Sequence, residues 1–253
     1  MTKLGHPKGG CLAVALLILA TSCTGNRRNG EANGGQTRPA IAEQLAKTYG
    51  LDSFGQIEAI RYTFNIEIPG INLSRSWTWE PKTGRVSYEG KDKDGKPVKV
   101  TYVRSQLNGA PANVRDDIEP AFVNDQYWLL FPFHTYWDSS AAVQDLGEQP
   151  LPLEKGSAKR VVVKYPAEAG GFTPGDTWEL YLGPDSRVEE MVYHRGGPQK
   201  PSLVTVTWAG YQKAGPLLVS TDHRGTADAA SVRVYFSNVA VKLKGSDNWV
   251  SAQ

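Results

Sequence analysis

The chain has 253 residues, of which 40% are hydrophobic and 21% charged, with a formal net charge of +2 and two cysteines. That length suits one large domain or two small ones with ample apolar material for a core. Near-neutrality gives no electrostatic footprint for nucleic acid, and two cysteines cannot staple a disulfide scaffold, so stability must come from packing.

Lys3 and Lys8 open a positive segment, residues 11–20 are apolar, and Ala20-Thr21-Ser22-Cys23 is a small-residue stretch ending in cysteine. The apolar run is well short of the roughly 20 residues that cross a bilayer core. This pattern resembles a bacterial lipoprotein signal. It implies cleavage after Ser22, lipid attachment at Cys23 and lasting residence at a membrane surface. Cleavage would remove both lysines and Cys11, leaving a neutral body with no disulfide. Thr24 stands where an aspartate marks inner-membrane retention in enteric bacteria, so the resemblance implies the outer membrane, facing the periplasm. Residues 23–38 are rich in Gly, Asn, Arg and Thr and read as a flexible tether, with the folded domain expected over 39–253.

Ile41, Leu45 and Tyr49 recur at four-residue spacing between Pro39 and Gly50, which predicts one amphipathic helix. From Ile57 the period becomes two: Tyr62, Phe64, Ile66 and Ile68 share one face, and Arg61, Thr63, Asn65 and Glu67 the other, as in a half-buried strand. Leu73, Trp77 and Trp79 repeat that pattern with Arg75 on the same apolar face; a turn at residues 81–84 leads to Val86 and Tyr88. Asp94-Gly95 marks the next hairpin, before Val98, Val100 and Tyr102. Residues 108–119 read as a polar, irregular connection. In 127–137 six Phe, Trp and Tyr rings crowd around Pro132, and the run from Phe122 predicts a strand up to Phe131 and then a loop or short helix. Further strands are expected at 160–165, 176–182, 187–194, 202–209, 217–224 and 231–241, separated by Gly- and Pro-rich turns. About ten to eleven strands with a helix in front indicate an α+β protein: a strongly curved antiparallel sheet, an unclosed β-barrel, capped by helices.

Few residues offer chemistry. Beyond the signal-like segment, His134, His194 and His223 form no metal-binding doublet, and no thiol is free to join them. His134 and Asp138, four apart, are the one pair with a proton-transfer or metal spacing; Asp222-His223 is weaker. Residues 92–95 imitate the start of a calcium loop, but the twelfth position is Val103, so a hairpin turn is the better reading. No nucleophile elbow, P-loop or dinucleotide fingerprint occurs. We therefore expect no enzyme, no cofactor and no metal. The aromatic side chains are the remaining signal, because left in water they would exceed the roughly 300–600 Å² apolar patch tolerated on monomers. Their cover is either the protein's own helix or an apolar ligand.

With those residues placed, the body resembles the periplasmic lipoprotein-sorting carrier (LolA-like) group. The matching segments are the helix from Ala40, the Ile57–Ile68 strand, the paired strands around Trp77-Thr78-Trp79 and residues 85–88, the aromatic run from Asn124 to Pro132, and the strand-turn-strand unit from Trp178 to Val188. The resemblance covers residues 39–224. It implies an incomplete barrel around an apolar cavity, with Trp77, Trp79, Tyr102, Trp128, Phe131, Tyr136, Trp137 and Trp178 touching a lipid or other hydrophobic ligand, Arg75 facing its headgroup, and the segment after Phe131 as lid. Carriers of that group are soluble and place an arginine before the corresponding proline. Here Glu80 precedes Pro81 and Cys23 anchors the chain. The implied function is thus an anchored relative that binds or receives a hydrophobic molecule rather than a shuttle. Two alternatives stay open: an envelope scaffold that contacts a protein partner through residues 108–119, and a hydrolase using His134, Asp138 and His223.

Overall fold

The structure, a computed structural model, describes residues 38–92, 94–168, 172–197 and 200–253. Cys23, the signal-like segment and the tether up to residue 37 lie outside the described residues. Helix α1 (Ala40–Thr48) forms where the four-residue spacing predicted it and buries Ala42, Leu45 and Ala46. Gly50 ends it in the left-handed region at φ 105°, where a Cβ would lie 2.5 Å from the Pro216 carbonyl oxygen, so only glycine fits. A short α2 (Leu51–Phe54) follows.

Among the described residues thirteen strands then build one antiparallel sheet: β1 (Ile57–Ile68), β2 (Ile71–Glu80), β3 (Arg85–Lys91), β4 (Pro97–Val103), β5 (Ala142–Pro150), β6 (Ser157–Lys164), β7 (Thr177–Leu182), β8 (Val188–His194), β9 (Leu203–Thr207), β10 (Ala209–Ala214), β11 (Leu217–Ala227), β12 (Ala230–Leu243) and β13 (Trp249–Ser251). Their order is β4-β3-β2-β1-β12-β11-β9-β8-β7-β6-β5, with β10 added to β11 and β13 to β12. The ends, β4 and β5, do not pair, so the sheet is unclosed, as expected. β9 and β10 share the partner β11 and are divided at Trp208, next to Gly210 at φ 66°. Two features of β1 and its neighbour depart from the alternating pattern. Thr63 and Asn65, expected on a wet face, are buried by β12, and β12 bulges opposite Tyr62.

The largest departure lies between β4 and β5. Arg104–Gly109 is a 3₁₀ turn and Val114–Ile118 a π turn, consistent with an irregular connection, but residues 119–137 are one helix, α3 (Glu119–Trp137), and not a strand followed by a loop. Its aromatic content imitates a strand, and Pro132 imitates a helix end. The helix absorbs Pro132 by leaving helical geometry at Leu130 (φ −118°, ψ 17°). A helix that is apolar on every side belongs in a protein interior, and α3 buries residues from Phe122 to Thr135 around its whole circumference. It runs through the concavity of the sheet, with α1 against its outer side.

The interior is therefore filled by protein. Phe131 is 0% exposed and stacks on Trp178 with ring centroids 4.1 Å apart. Truncation of Phe131 to Ala should cost about 3–5 kcal/mol in chemical denaturation, the usual loss for a packed aromatic. A loss below ~1 kcal/mol would mean that the ring lines open space instead.

Candidate functional site

The sequence-predicted aromatic residues do converge, on the contact between α3 and the concave face. Trp77 packs on Tyr88 and Phe122, and Trp79 on Phe122 and Phe54. Trp128 lies between Trp178 and Trp208, at centroid distances of 5.5 and 6.4 Å. Trp137 stacks on Phe133 and meets Phe54 edge-on at the half-exposed rim, beside the half-exposed Tyr136. Concavities of about 470 and 360 Å³ lie elsewhere, along α1 and on the far side of β1.

Three buried polar nodes fix α3 in this apolar cradle. Glu119, at its start, accepts hydrogen bonds from Tyr102 Oη (2.7 Å) and Arg104 Nε (2.8 Å). Tyr102 is thus a tether for α3 as well as a wall residue. Asp125, 0% exposed, accepts from Arg75 Nε at 2.7 Å and from Arg75 Nη2, and from Trp77 Nε1 at 2.8 Å. Arg75, expected to face a headgroup, pairs with this carboxylate and lies over the Phe64 ring. Burial raises the Asp125 carboxyl above its ordinary range, opposed by Arg75, Asn124 and Trp77. Sequence alone gave no reason to single out Asp125 or Glu119, since each sits in a segment read as strand or loop.

The third node closes the end of α3. Asp138 accepts from Tyr127 Oη (2.6 Å) and Tyr165 Oη (2.7 Å) and faces His134 Nδ1 at 3.1 Å. Burial works against the charged carboxylate, but His134, Tyr127 and Tyr165 outweigh it and hold Asp138 below the usual range. The predicted His134–Asp138 pairing is present, with the Tyr127 ring stacked on the imidazole at 3.8 Å. The other ring nitrogen, Nε2, is buried and meets no hydrogen-bond partner among the described residues, so no nucleophile is set against it. His194 pairs with Glu179 near the surface, away from this node. No cluster of three metal-type ligands occurs among the described residues, nor any helix long and apolar enough to cross a membrane.

Beneath α3 the wall itself carries unexpected polarity. Trp178 on β7, Trp208 between β9 and β10, and His223 on β11 are 3%, 2% and 0% exposed. Among the described residues Trp178 Nε1, Trp208 Nε1 and both ring nitrogens of His223 have no well-formed hydrogen-bond partner, although the Thr207 backbone lends the His223 ring a weak contact. Each such atom normally finds one, and an orphan costs about 1–3 kcal/mol. His223 packs against Trp208 at 4.0 Å, and burial lowers its pKa from 6.5 to about 3, against weak support from the Thr207 backbone and the Asp222 charge.

No protein-family model matches the chain, and no curated protein matches it. Among solved structures, a DUF1329 family protein from Desulfovibrio piger overlays with 9% identity over 82% of this chain and 94% of its own, at a TM-score of 0.42. The lipoprotein LppX of Mycobacterium tuberculosis overlays with 9% identity over 80% of this chain and 96% of its own, at 0.29. Both are partial overlays and give this chain no activity.

Two outcomes test the geometry. Asp125→Ala should destabilise by about 3–5 kcal/mol, because Arg75 is left as a buried, unpaired cation, whereas Arg75→Met combined with Asp125→Leu should recover most of that loss. Equal losses for both variants would contradict a buried pair. The second concerns pH. An unfolded His223 takes up a proton near pH 6.5, the folded one only near pH 3, so in that window the unfolded chain binds more protons and stability falls as the pH drops. The full loss is up to roughly 5 kcal/mol. Denaturation profiles of His223→Leu should lack this component when subtracted from wild type, while acid losses from Asp138 remain in both.

Proposed function

We propose that the protein is an envelope lipoprotein that binds a hydrophobic molecule on the concave face of its sheet, and that α3 is the plug occupying this place when no ligand is bound. The observation that carries the reading is the wall under α3: Trp178, Trp208 and His223 present buried hydrogen-bonding atoms that α3 leaves unmatched. A ligand with an apolar body and one polar end would satisfy them, and an apolar helix does not. The polar nodes at Glu119, Asp125 and Asp138 suit a removable plug, since their groups can exchange protein partners for water when α3 moves. The half-exposed Phe54, Tyr136 and Trp137 at the rim supply an apolar doorway. Lipidation at Cys23 and residence in the periplasm-facing leaflet of the outer membrane complete the reading. The resemblance to the lipoprotein-sorting carriers supports the same assignment, with Arg75 latching the plug instead of touching a headgroup.

A scaffold or interaction lipoprotein is the second reading, and the filled interior favours it. Amide hydrogen exchange with and without hexadecanoic acid separates the two. Ligand binding should deprotect residues 119–137 by at least tenfold while β1 and β12 stay protected. Exchange in α3 that matches the central strands and ignores the fatty acid would leave the scaffold reading alone.

A further inference from the structure

We propose that the cleft between β1, β10 and the β12–β13 hairpin, on the opposite side of β1 from Tyr62 and Phe64, binds a small oxyanion, a carboxylate or phosphate group. The cleft has a volume of about 360 Å³ and is lined by Arg61, Gln212, Ser237, Asn238 and Ser251 among others. It exists because β12 bulges: Arg61 pairs with Ala240 but Thr63 with Ser237, so Asn238 and Val239 together oppose Tyr62. Asn238 adopts the left-handed region at φ 55°, a conformation uncommon for a residue with a side chain. Asn65 and Thr63, on the same face of β1 as Arg61, hold the bulge through bonds to Ser237 Oγ (3.2 Å) and from Asn238 Nδ2 (3.4 Å).

Arg61 supplies the charge. Its guanidinium carbon lies 4.6 Å over the Trp249 ring, which holds the fork flat. Arg75, Arg104, Arg160, Arg187 and Arg233 each meet a carboxylate; Arg61 meets none among the described residues, and its Nε is buried without a partner. No acidic side chain lines the cleft, and Glu58 on the same strand is held by Lys242 at 3.4 Å. A planar, positively charged fork in a cleft also lined by Ser237, Ser251, Gln212 and Asn238 is complementary to paired oxygens carrying negative charge. Occupancy needs no movement of α3, so this site stands whether or not the concave face takes a ligand.

The test is a titration of the purified protein with sodium phosphate and, separately, sodium acetate, against sodium chloride at matched ionic strength, read by two-dimensional NMR at the Trp249 indole and the Asn238 and Ser251 amides. The expected result is saturable shifts at these signals with one or both oxyanions, weakened at least tenfold in Arg61→Gln and only partly in Arg61→Lys. Gln212→Met, on the opposite wall, serves if Arg61→Gln does not fold, and should also weaken binding. A parallel flotation arm uses vesicles of phosphatidylcholine with and without phosphatidylglycerol. Arg61-dependent capture by the anionic vesicles would name a lipid phosphate as the source, and saturation by free ions without capture would name a soluble one. Shifts that grow linearly with salt, that chloride reproduces, or that persist unchanged in Arg61→Gln and Gln212→Met would overturn the proposal.

Discussion

The structure depends on how one apolar helix is held inside a concave sheet. α3 carries large side chains all round, so burial drives it into the cradle, but apolar burial is non-directional and would accept many positions. The Asp125 carboxylate removes that freedom. Fully buried, it must keep Arg75 and Trp77 as partners, and both lie on β2. Glu119 and Asp138 repeat the constraint at the two ends, through Tyr102 with Arg104 and through Tyr165. Three polar nodes along one helix fix its rotation and depth where packing alone would leave them degenerate. They also make its place in the sheet breakable, because a carboxylate that leaves an arginine can be received by water.

The same arrangement explains why the sheet stops short of closure. A barrel closed around α3 would need β4 to meet β5, but the chain between these strands is the helix itself with its irregular approach. β5 is exposed along most of its length and bulges between Asp145 and Glu148, as unpaired edges commonly do to discourage further pairing. The sheet thus has two distinct sides: a concave one dominated by aromatic rings and α3, and an outer one where the β12 bulge opens a cleft at Arg61.

Much of this was legible in the sequence, and the failures are physically specific. The period-two runs at 57–68 and 73–80 announced β1 and β2, and the four-residue spacing before Gly50 announced α1. Strong local alternation located both strands, although β1 also buries Thr63 and Asn65 from the face expected to be wet. α3 was misread because its aromatic content mimics a strand and Pro132 mimics a terminus, although Glu119-Pro120 is a helix-opening pair that carried the opposite signal. β5 and β13 escaped because edge strands bury few side chains, and β10 because Gly210 turns the chain out of line beside Trp208. The aromatic residues were recognised as a set that needs cover, since large apolar rings need it wherever they fall, and they do converge in the interior. Their polar partners were not, because Asp125 and Glu119 become partners of Arg75 and Tyr102 only after the chain has crossed from β4 into α3, a relation with no fixed spacing.

The central claim is that α3 occupies the aromatic face reversibly. Fluorine NMR of protein carrying 5-fluorotryptophan reads this directly, because Trp128 belongs to the plug while Trp178 and Trp208 belong to the wall. Without ligand, all three resonances should lack a solvent isotope shift between H₂O and D₂O. With hexadecanoic acid, Trp178 and Trp208 should move saturably to new positions while Trp128 gains a solvent isotope shift. Three resonances unchanged by the fatty acid at saturating concentration would contradict the account.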